Sequence, residues 1–295
     1  MVRGLQMKGI PLMSRIRALI LIAVLLAASS AAAGAPLRVT VSILPQKWMV
    51  EGVGGDDVEV MVLVGPGHSP ATYEPTPSQM ARLLESDVFF SAGVPFENGL
   101  MPRIQKQKDG PMIRGPRHAA GHNHSDLDPH VWLSYSGASA MLDTVVSAFQ
   151  DLRPIPDGEV DRWIYWASQT REDLGEAHDR CQAMLSDCQS REFFVFHPAF
   201  GHFAEAYGLV QIAVEDHGHE PGPKHLAELI EHAKASGAEA IVVQPQFSKK
   251  SAEAVAEEVG AEIVVLDPLA ENIPENLIEI AKTLSKVLEC SGDGP

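Results

Sequence analysis

Residues 157–186, DGEVDRWIYWASQTREDLGEAHDRCQAMLS, run for about thirty positions without a proline. Glu, Arg, Gln, Ala and Leu, which are good helix formers, dominate the stretch, and only Gly158 and Gly175 are weak positions. A single helix of this length would extend for about 45 Å at 1.5 Å per residue, which is longer than a small domain is wide. We therefore expect a rigid helix that joins two lobes.

Short β-branched runs alternate with helical patterns on both sides of this stretch. The predicted strands are 39–44, 58–64, 88–90, 193–196, 209–214, 240–243 and 262–266. The other predicted helices are 77–85, 96–104, 136–150, 198–207, 223–236, 251–259 and 274–289. Gly208, Gly237 and Gly260 directly follow three of these helices, where helix ends favour glycine. The alternation predicts an α/β protein in which two similar lobes with mainly parallel sheets are joined by one long helix.

The first 33 residues have no acidic side chain and are typical of a secretory signal peptide. Arg15 and Arg17 precede an apolar run at 18–28, and small residues follow up to Ala33. The apolar run is about half as long as a membrane span needs, and a retained anchor is the alternative. We predict cleavage after Ala33 and a mature chain that works outside the cytoplasm. The predicted domains are a signal peptide at 1–33, a first lobe at 34–155, the connecting helix at 156–188 and a second lobe at 189–295.

The composition excludes several classes of protein. Hydrophobic residues make up 45% and charged residues 21%, which is typical of a packed globular chain and not of a disordered one. With 23 Lys and Arg against 39 Asp and Glu, the formal charge of −16 argues against nucleic acid as a partner. Three cysteines are too few for a disulfide-dense scaffold or a Cys₄ zinc module. Cys181 and Cys188 are too far apart for a bridge within one straight helix, so a disulfide requires the helix to end before Cys188, or Cys290 as the partner.

Four polar side chains lie just after predicted strands or in the adjoining loops. They are His68, His130, His197 and Asp267, two in each predicted lobe. Open α/β sheets bind ligands at the carboxyl ends of their strands. Three imidazoles and one carboxylate would form a four-coordinate site that suits Zn²⁺, whereas Mn²⁺ prefers more oxygen ligands. Each residue alone is also explained as a hydrogen-bonded loop or turn residue, so the prediction of a metal site depends on the set.

Five motifs occur in order along the chain: 73–78 (YEPTPS), 128–134 (DPHVWLS), 197–201 (HPAFG), 244–248 (QPQFS) and 267–269 (DPL). Together they resemble the ZnuA/TroA-like periplasmic metal-binding proteins, the solute-binding proteins of zinc and manganese ABC transporters. The resemblance covers nearly all of the chain after residue 38, and DPHVWLS followed by a long helix is its most specific part. It implies two α/β lobes joined by one long helix, with the metal held between the lobes.

The resemblance also implies roles for single residues. His130, His197 and Asp267 match metal ligands of the family, and a His at the position of His197 is typical of its zinc binders, whereas manganese binders tend to have Glu. The family's first ligand is replaced, because Ala71 stands where the pattern Pro-His-x-Tyr-Glu-Pro has its His. His68 lies three residues earlier, a distance of at most about 10 Å, so a rearranged loop would bring it to the metal. Water is the alternative fourth ligand.

The implied function is that of a periplasmic receptor, a monomer and not an enzyme, that captures Zn²⁺ with high affinity. Its partner would be the membrane permease of an ABC-type metal importer. A Mn²⁺ or Fe²⁺ receptor and a metal-binding adhesin are the alternatives with the same fold. A secreted zinc hydrolase is the alternative from another class, although the sequence contains no H-E-x-x-H motif.

Two further groups of histidines lie in predicted loops. His118, His122 and His124 fall in the segment 109–129, which we expect to be an exposed loop. They either capture metal transiently for the main site or are incidental residues of that loop. The second group comprises His217, His219 and Glu220, for which we favour a polar loop over contact with the metal ligands.

Overall fold

The computed structural model describes residues 35–115, 128–154, 161–215, 223–247 and 249–291. Its first four strands form one parallel sheet in the order β2-β1-β3-β4. These strands are β1 Leu37–Ile43, β2 Val58–Val64, β3 Val88–Phe90 and β4 Met112–Arg114. The helices of this first lobe are α1 Leu44–Gly54, α2 Pro77–Leu84, α3 Glu97–Gln105 and α4 Tyr135–Leu152.

The second sheet repeats the arrangement in the order β6-β5-β7-β8, again with parallel strands. Its strands are β5 Glu192–Val195, β6 Val210–Ala213, β7 Ala240–Val243 and β8 Glu262–Val265. The helices of this second lobe are α6 Gly201–Ala206, α7 Pro223–Ala235, α8 Lys249–Val259 and α9 Ile273–Val287. The prediction of two similar α/β lobes with parallel sheets is thus confirmed.

The predicted long helix is present as α5, Arg162–Leu185. It begins at Arg162 because the Asp161 carboxylate caps it, accepting hydrogen bonds from the backbone N–H groups of Trp163 and Ile164. The positions 157–160, also predicted to be helical, lie outside the described residues. The 24 residues of α5 extend for about 36 Å. The helix packs one buried face against α1 and α4 of the first lobe and α9 of the second, so it joins the lobes along that face.

The sequence pattern does not predict two elements of the first lobe. Helix α1 follows β1 directly because Pro45 occupies its first turn, where a helix needs no backbone N–H donor. The proline that ends the strand therefore also begins a helix. Strand β4 lies within the segment 109–129, so the expectation of a loop is wrong for residues 112–114. Its three residues at the edge of the sheet are too few to show an alternating pattern.

Two hydrophobic clusters lie on opposite faces of the second sheet. The larger cluster extends from the first sheet past α5 to one face of the second sheet, where it includes Phe193 and Val195. The smaller cluster covers the other face and combines Phe194 with Leu229 of α7 and Val255 of α8. Successive residues of β5 thus face opposite sides, as strand geometry requires. The first lobe, α5 and the inner face of the second lobe consequently share one core.

A disulfide joins Cys188 to Cys290 across 102 residues of sequence. Of the two predicted alternatives, the structure has the second, in which Cys290, after α9, is the partner; helix α5 also ends before Cys188, at Leu185. The bridge ties the segment after the long helix to the segment after the last helix. Cys181 remains a buried free thiol inside α5.

The predicted signal peptide at 1–33 lies outside the described residues. Within the described ranges, no helix is both long and apolar enough to cross a membrane. The domain boundaries at 34–155, 156–188 and 189–295 remain predictions.

Candidate metal centre

A cleft of about 990 Å³ lies between the lobes. In the first lobe its lining includes 69–71, after β2, and 93–95, after β3. In the second lobe the lining includes Pro198, Phe247 and Pro268, which come after β5, β7 and β8. Because each sheet is parallel, the loops at the carboxyl ends of its strands meet at one edge, and the cleft is where the two edges face each other.

His130 enters this cleft from the first lobe and is held by Asp128. The imidazole Nδ1 lies 2.7 Å from Asp128 Oδ1, and the same oxygen accepts the backbone N–H of His130. A carboxylate only accepts, so the ring carries its hydrogen on Nδ1 and leaves the Nε2 lone pair for a metal ion. Gly201 permits this arrangement, since a Cβ there would lie 2.6 Å from Asp128 Oδ2.

Burial sets the protonation of this pair. It lowers the pKa of His130 below its ordinary value, although the hydrogen bond to Asp128 acts in the opposite direction. For Asp128, burial alone would raise the pKa, but the hydrogen bond and the charge of His130 together hold that pKa below its ordinary value. The result is a neutral imidazole beside a charged carboxylate at neutral pH, which is the form that binds metal.

His197 enters the cleft from the second lobe, two residues after β5. Its Nδ1 lies 2.5 Å from Glu215 Oε2, and the Glu215 side chain is only 8% exposed. The ring stacks on Phe247 with 4.8 Å between ring centroids. Gln244 fixes the backbone, accepting the N–H of His197 and donating to its C=O. His197 is therefore oriented on three sides, and Nε2 is the ring nitrogen that a metal ion would use.

The two imidazoles converge. Their ring centroids are 5.7 Å apart and the ring planes are inclined by 75°. Two histidines that bind one Zn²⁺ through Nε2 at tetrahedral angles would have centroids about 5 Å apart, from Zn–N distances of about 2.0–2.1 Å. The observed spacing is within about 1 Å of that arrangement. His130 and His197 thus form a two-imidazole site that spans the lobes.

Asp267 lies two residues after β8, next to Pro268, which lines the cleft. Its Oδ1 accepts hydrogen bonds from Gln246 Nε2 at 2.6 Å and from the backbone N–H of Leu269 at 2.9 Å. The next residue, Pro268, accepts a hydrogen bond from Trp132 Nε1 at 2.7 Å, and the Trp132 ring lies 5.2 Å from the ring of His130. The DPL and DPHVWLS motifs are therefore in direct contact.

His68 is placed differently. Its side chain is exposed, with Nδ1 3.2 Å from the C=O of Pro66 and the ring edge-on to Tyr73. Ala71 lines the cleft wall, whereas His68 is outside the lining. In the described part of the chain, no three His, Cys, Asp or Glu side chains are close enough together to hold one ion. The four-ligand assignment therefore stays a prediction. The loop histidines His118, His122, His124, His217 and His219, together with Glu220, lie outside the described residues.

Sequence reasoning missed the residues that orient the imidazoles. Asp128 belongs to the DPHVWLS motif, so its position two residues before His130 was an available signal. Gln244 and Gln246 likewise belong to the QPQFS motif. Glu215 belongs to no motif, and it reaches His197 because β5 and β6 are neighbours in the sheet. Only the strand order reveals that contact.

The sequence model of the ZnuA family, described as "Zinc-uptake complex component A periplasmic", matches residues 39–289. The chain belongs to this family. A crystal structure of ZnuA is 32% identical in sequence, has a TM-score of 0.79 and matches 85% of this chain and 99% of that chain. The zinc-binding protein AdcA of Streptococcus pyogenes serotype M1 is 26% identical in an alignment of 263 residues that covers 79% of this chain and 50% of AdcA.

The fold also extends to a manganese-bound structure. The solute-binding protein FpvC of Pseudomonas aeruginosa, solved in complex with Mn²⁺, is 22% identical with a TM-score of 0.73, and the match covers 86% of this chain and 98% of that chain. At this identity the likeness shows the fold alone.

ZnuA-family membership confirms the predicted family, the two-lobe α/β fold and the non-enzymatic class. The protein is an exported, metal-binding solute-binding protein of ABC metal transport. The secreted zinc hydrolase is thereby ruled out as an interpretation.

Proposed function

We propose that this ZnuA-family protein captures Zn²⁺ with high affinity in the cleft and delivers it, as a monomer, to the membrane permease of an ABC importer. The observation that carries the proposal is the convergence of His130 and His197 from opposite lobes. Each has Nδ1 bound to a carboxylate, which fixes the ring and leaves Nε2 as the ligand atom. Two imidazoles oriented in this way can bind one cation from both lobes.

The proposed ligands are His130, His197, Asp267 and His68. Asp267 has one oxygen held by Gln246 and Leu269, and its other oxygen is the proposed ligand atom. His68 joins only if the loop after β2 rearranges, since its ring now contacts Tyr73. That loop is exposed around His68, so the ring can turn without disrupting the core. Water takes the fourth position if the loop does not move.

The donor set favours Zn²⁺ over Mn²⁺. The carboxylates of Asp128 and Glu215 stand behind the imidazoles and are occupied by Nδ1, so nitrogen is the main donor in the cleft. Imidazole nitrogen suits Zn²⁺, while Mn²⁺ prefers carboxylate and other oxygen donors. His197 is the deciding residue, because a Glu at this position would shift the set toward oxygen.

The test is a metal competition with the untagged mature chain that begins at residue 34. We expect one equivalent of Zn²⁺ to bind tightly and Mn²⁺ to compete only at a large excess, as measured against a chromophoric chelator. His130→Ala and His197→Ala should each weaken Zn²⁺ binding strongly. Displacement of Zn²⁺ by an equal concentration of Mn²⁺ would overturn the zinc assignment.

A further inference from the structure

The loop that carries Asp267 belongs to the second lobe but is bound to the first. It runs from the end of β8 to the start of α9, over residues 266–272. Trp132 of the first lobe donates a hydrogen bond to the Pro268 carbonyl oxygen at 2.7 Å. Lys47 of α1, also in the first lobe, forms an ion pair with Glu271, with Nζ 2.5 Å from Oε1. Two contacts with the first lobe therefore lie within four residues after Asp267.

Interactions within α1 do not favour a lysine at position 47. It lies in the first turn of that helix, where the helix dipole disfavours a cation. Its contact within the helix, to Glu51, is longer at 3.6 Å and has the less favourable order of charges along the helix. The hydrogen bond to Glu271 raises the pKa of Lys47 above its ordinary value, so the lysine stays charged. The contact between the lobes is thus the one that explains this residue.

The same loop is anchored from within the second lobe. Leu269 and Ile273 are buried in the large core cluster, and Asn276 of α9 donates to the C=O of Asp267. Because that cluster is shared by both lobes, Lys47 and Trp132 add polar contacts with the first lobe to an apolar one.

We propose that Lys47 is a positioning residue for metal binding: through Glu271 it holds the loop of Asp267 against the first lobe, so that this carboxylate reaches the ion bound by His130. The inference rests on the proposed function, because it needs a metal ion in the cleft. The two side chains are 28% and 41% exposed, so the pair is only partly shielded from water. Loss of such a partly exposed ion pair should change the Zn²⁺ dissociation constant about two- to fivefold.

The experiment compares the Zn²⁺ dissociation constant and dissociation rate of the parent protein with those of Lys47→Met. We expect affinity to fall two- to fivefold and the dissociation rate to rise, with Lys47→Arg restoring both. Added salt should bring the parent toward the variant, since screening weakens the same pair. Glu271→Gln removes the acidic partner of the same pair. It serves as the test variant if Lys47→Met does not fold.

The matched control is Lys234→Met. Lys234 pairs with Glu258 at 3.0 Å between α7 and α8, entirely within the second lobe, and its loss changes the net charge by the same amount. It should leave zinc binding unchanged. A lower melting temperature of Lys47→Met with unaltered zinc affinity would show a purely structural role and overturn the proposal while the receptor function stands. Equal losses of zinc affinity in Lys47→Met and Lys234→Met would show a general effect of charge and would overturn the role of Lys47. A parent protein that binds no metal would overturn both this proposal and the proposed function.

Discussion

Glu215 offers the sharpest perturbation of the site because it touches the proposed ligand His197 without being a ligand itself. In Glu215→Gln, the amide oxygen can still accept the Nδ1 hydrogen, but the negative charge behind the ring, which favours a cation at Nε2, is lost. The Glu215 side chain is 8% exposed, so solvent screens its negative charge only weakly. Removing such a partner behind a histidine ligand typically costs tenfold to a hundredfold in metal affinity. Because Gln keeps the hydrogen bond, we expect the lower end, about tenfold or about 1.4 kcal/mol.

The assay is Zn²⁺ competition against a chromophoric chelator at neutral pH. Glu192→Gln is the matched control, because Glu192 holds His232 in a similar pair at 3.0 Å, away from the cleft. That variant should bind Zn²⁺ like the parent. If Glu215→Gln also binds like the parent while His197→Ala does not, the contact between Glu215 and His197 does not tune the metal, and the reasoning from this carboxylate is refuted.

Four further predictions concern other residues and other properties of the protein. His68→Ala should weaken Zn²⁺ binding at least tenfold, about 1.4 kcal/mol, if the loop supplies the fourth ligand; unchanged affinity would leave that position to water. Zn²⁺ affinity should hold from neutral pH down to about pH 6.5 and fall below it, because burial lowers the pKa of His130 and protonation of the ring removes its ligand atom. For the same reason, the stability that His130 gives the metal-free protein is present above about pH 6.5 and is lost as the pH falls through its lowered pKa; equal unfolding midpoints at neutral and acidic pH would contradict this. Replacing both Cys188 and Cys290 by Ser should lower the free energy of unfolding by about 2–4 kcal/mol in urea titrations, since the bridge spans 102 residues, and reductant should affect only the parent.

The fold was largely predictable because its signals are local. A long run without proline gave α5, and glycines with positive φ at 208, 237 and 260 ended α6, α7 and α8 as expected. Two elements were missed, one for a local and one for a non-local reason. Pro45 follows β1 and also lies in the first turn of α1, so a proline interpreted only as the end of a strand conceals the helix. Strand β4 is recognisable as a strand only through its pairing with β3.

The site was predictable only in part. Motifs pointed to His130, His197 and Asp267, which the structure places in or beside one cleft. They did not reveal what orients these residues, because Glu215 reaches His197 through the pairing of β5 with β6 and Lys47 reaches Glu271 across 224 residues. Contacts of that kind depend on strand order and on how the lobes pack, and neither leaves a pattern in a single sequence.

The most direct test of the central claim is a calorimetric Zn²⁺ titration of the untagged mature protein beside its His130→Ala/His197→Ala double variant. We expect one tight equivalent in the parent and none in the double variant, with any weak binding to surface histidines retained in both. A double variant that still binds one equivalent as tightly as the parent would contradict the claim that these two imidazoles hold the metal.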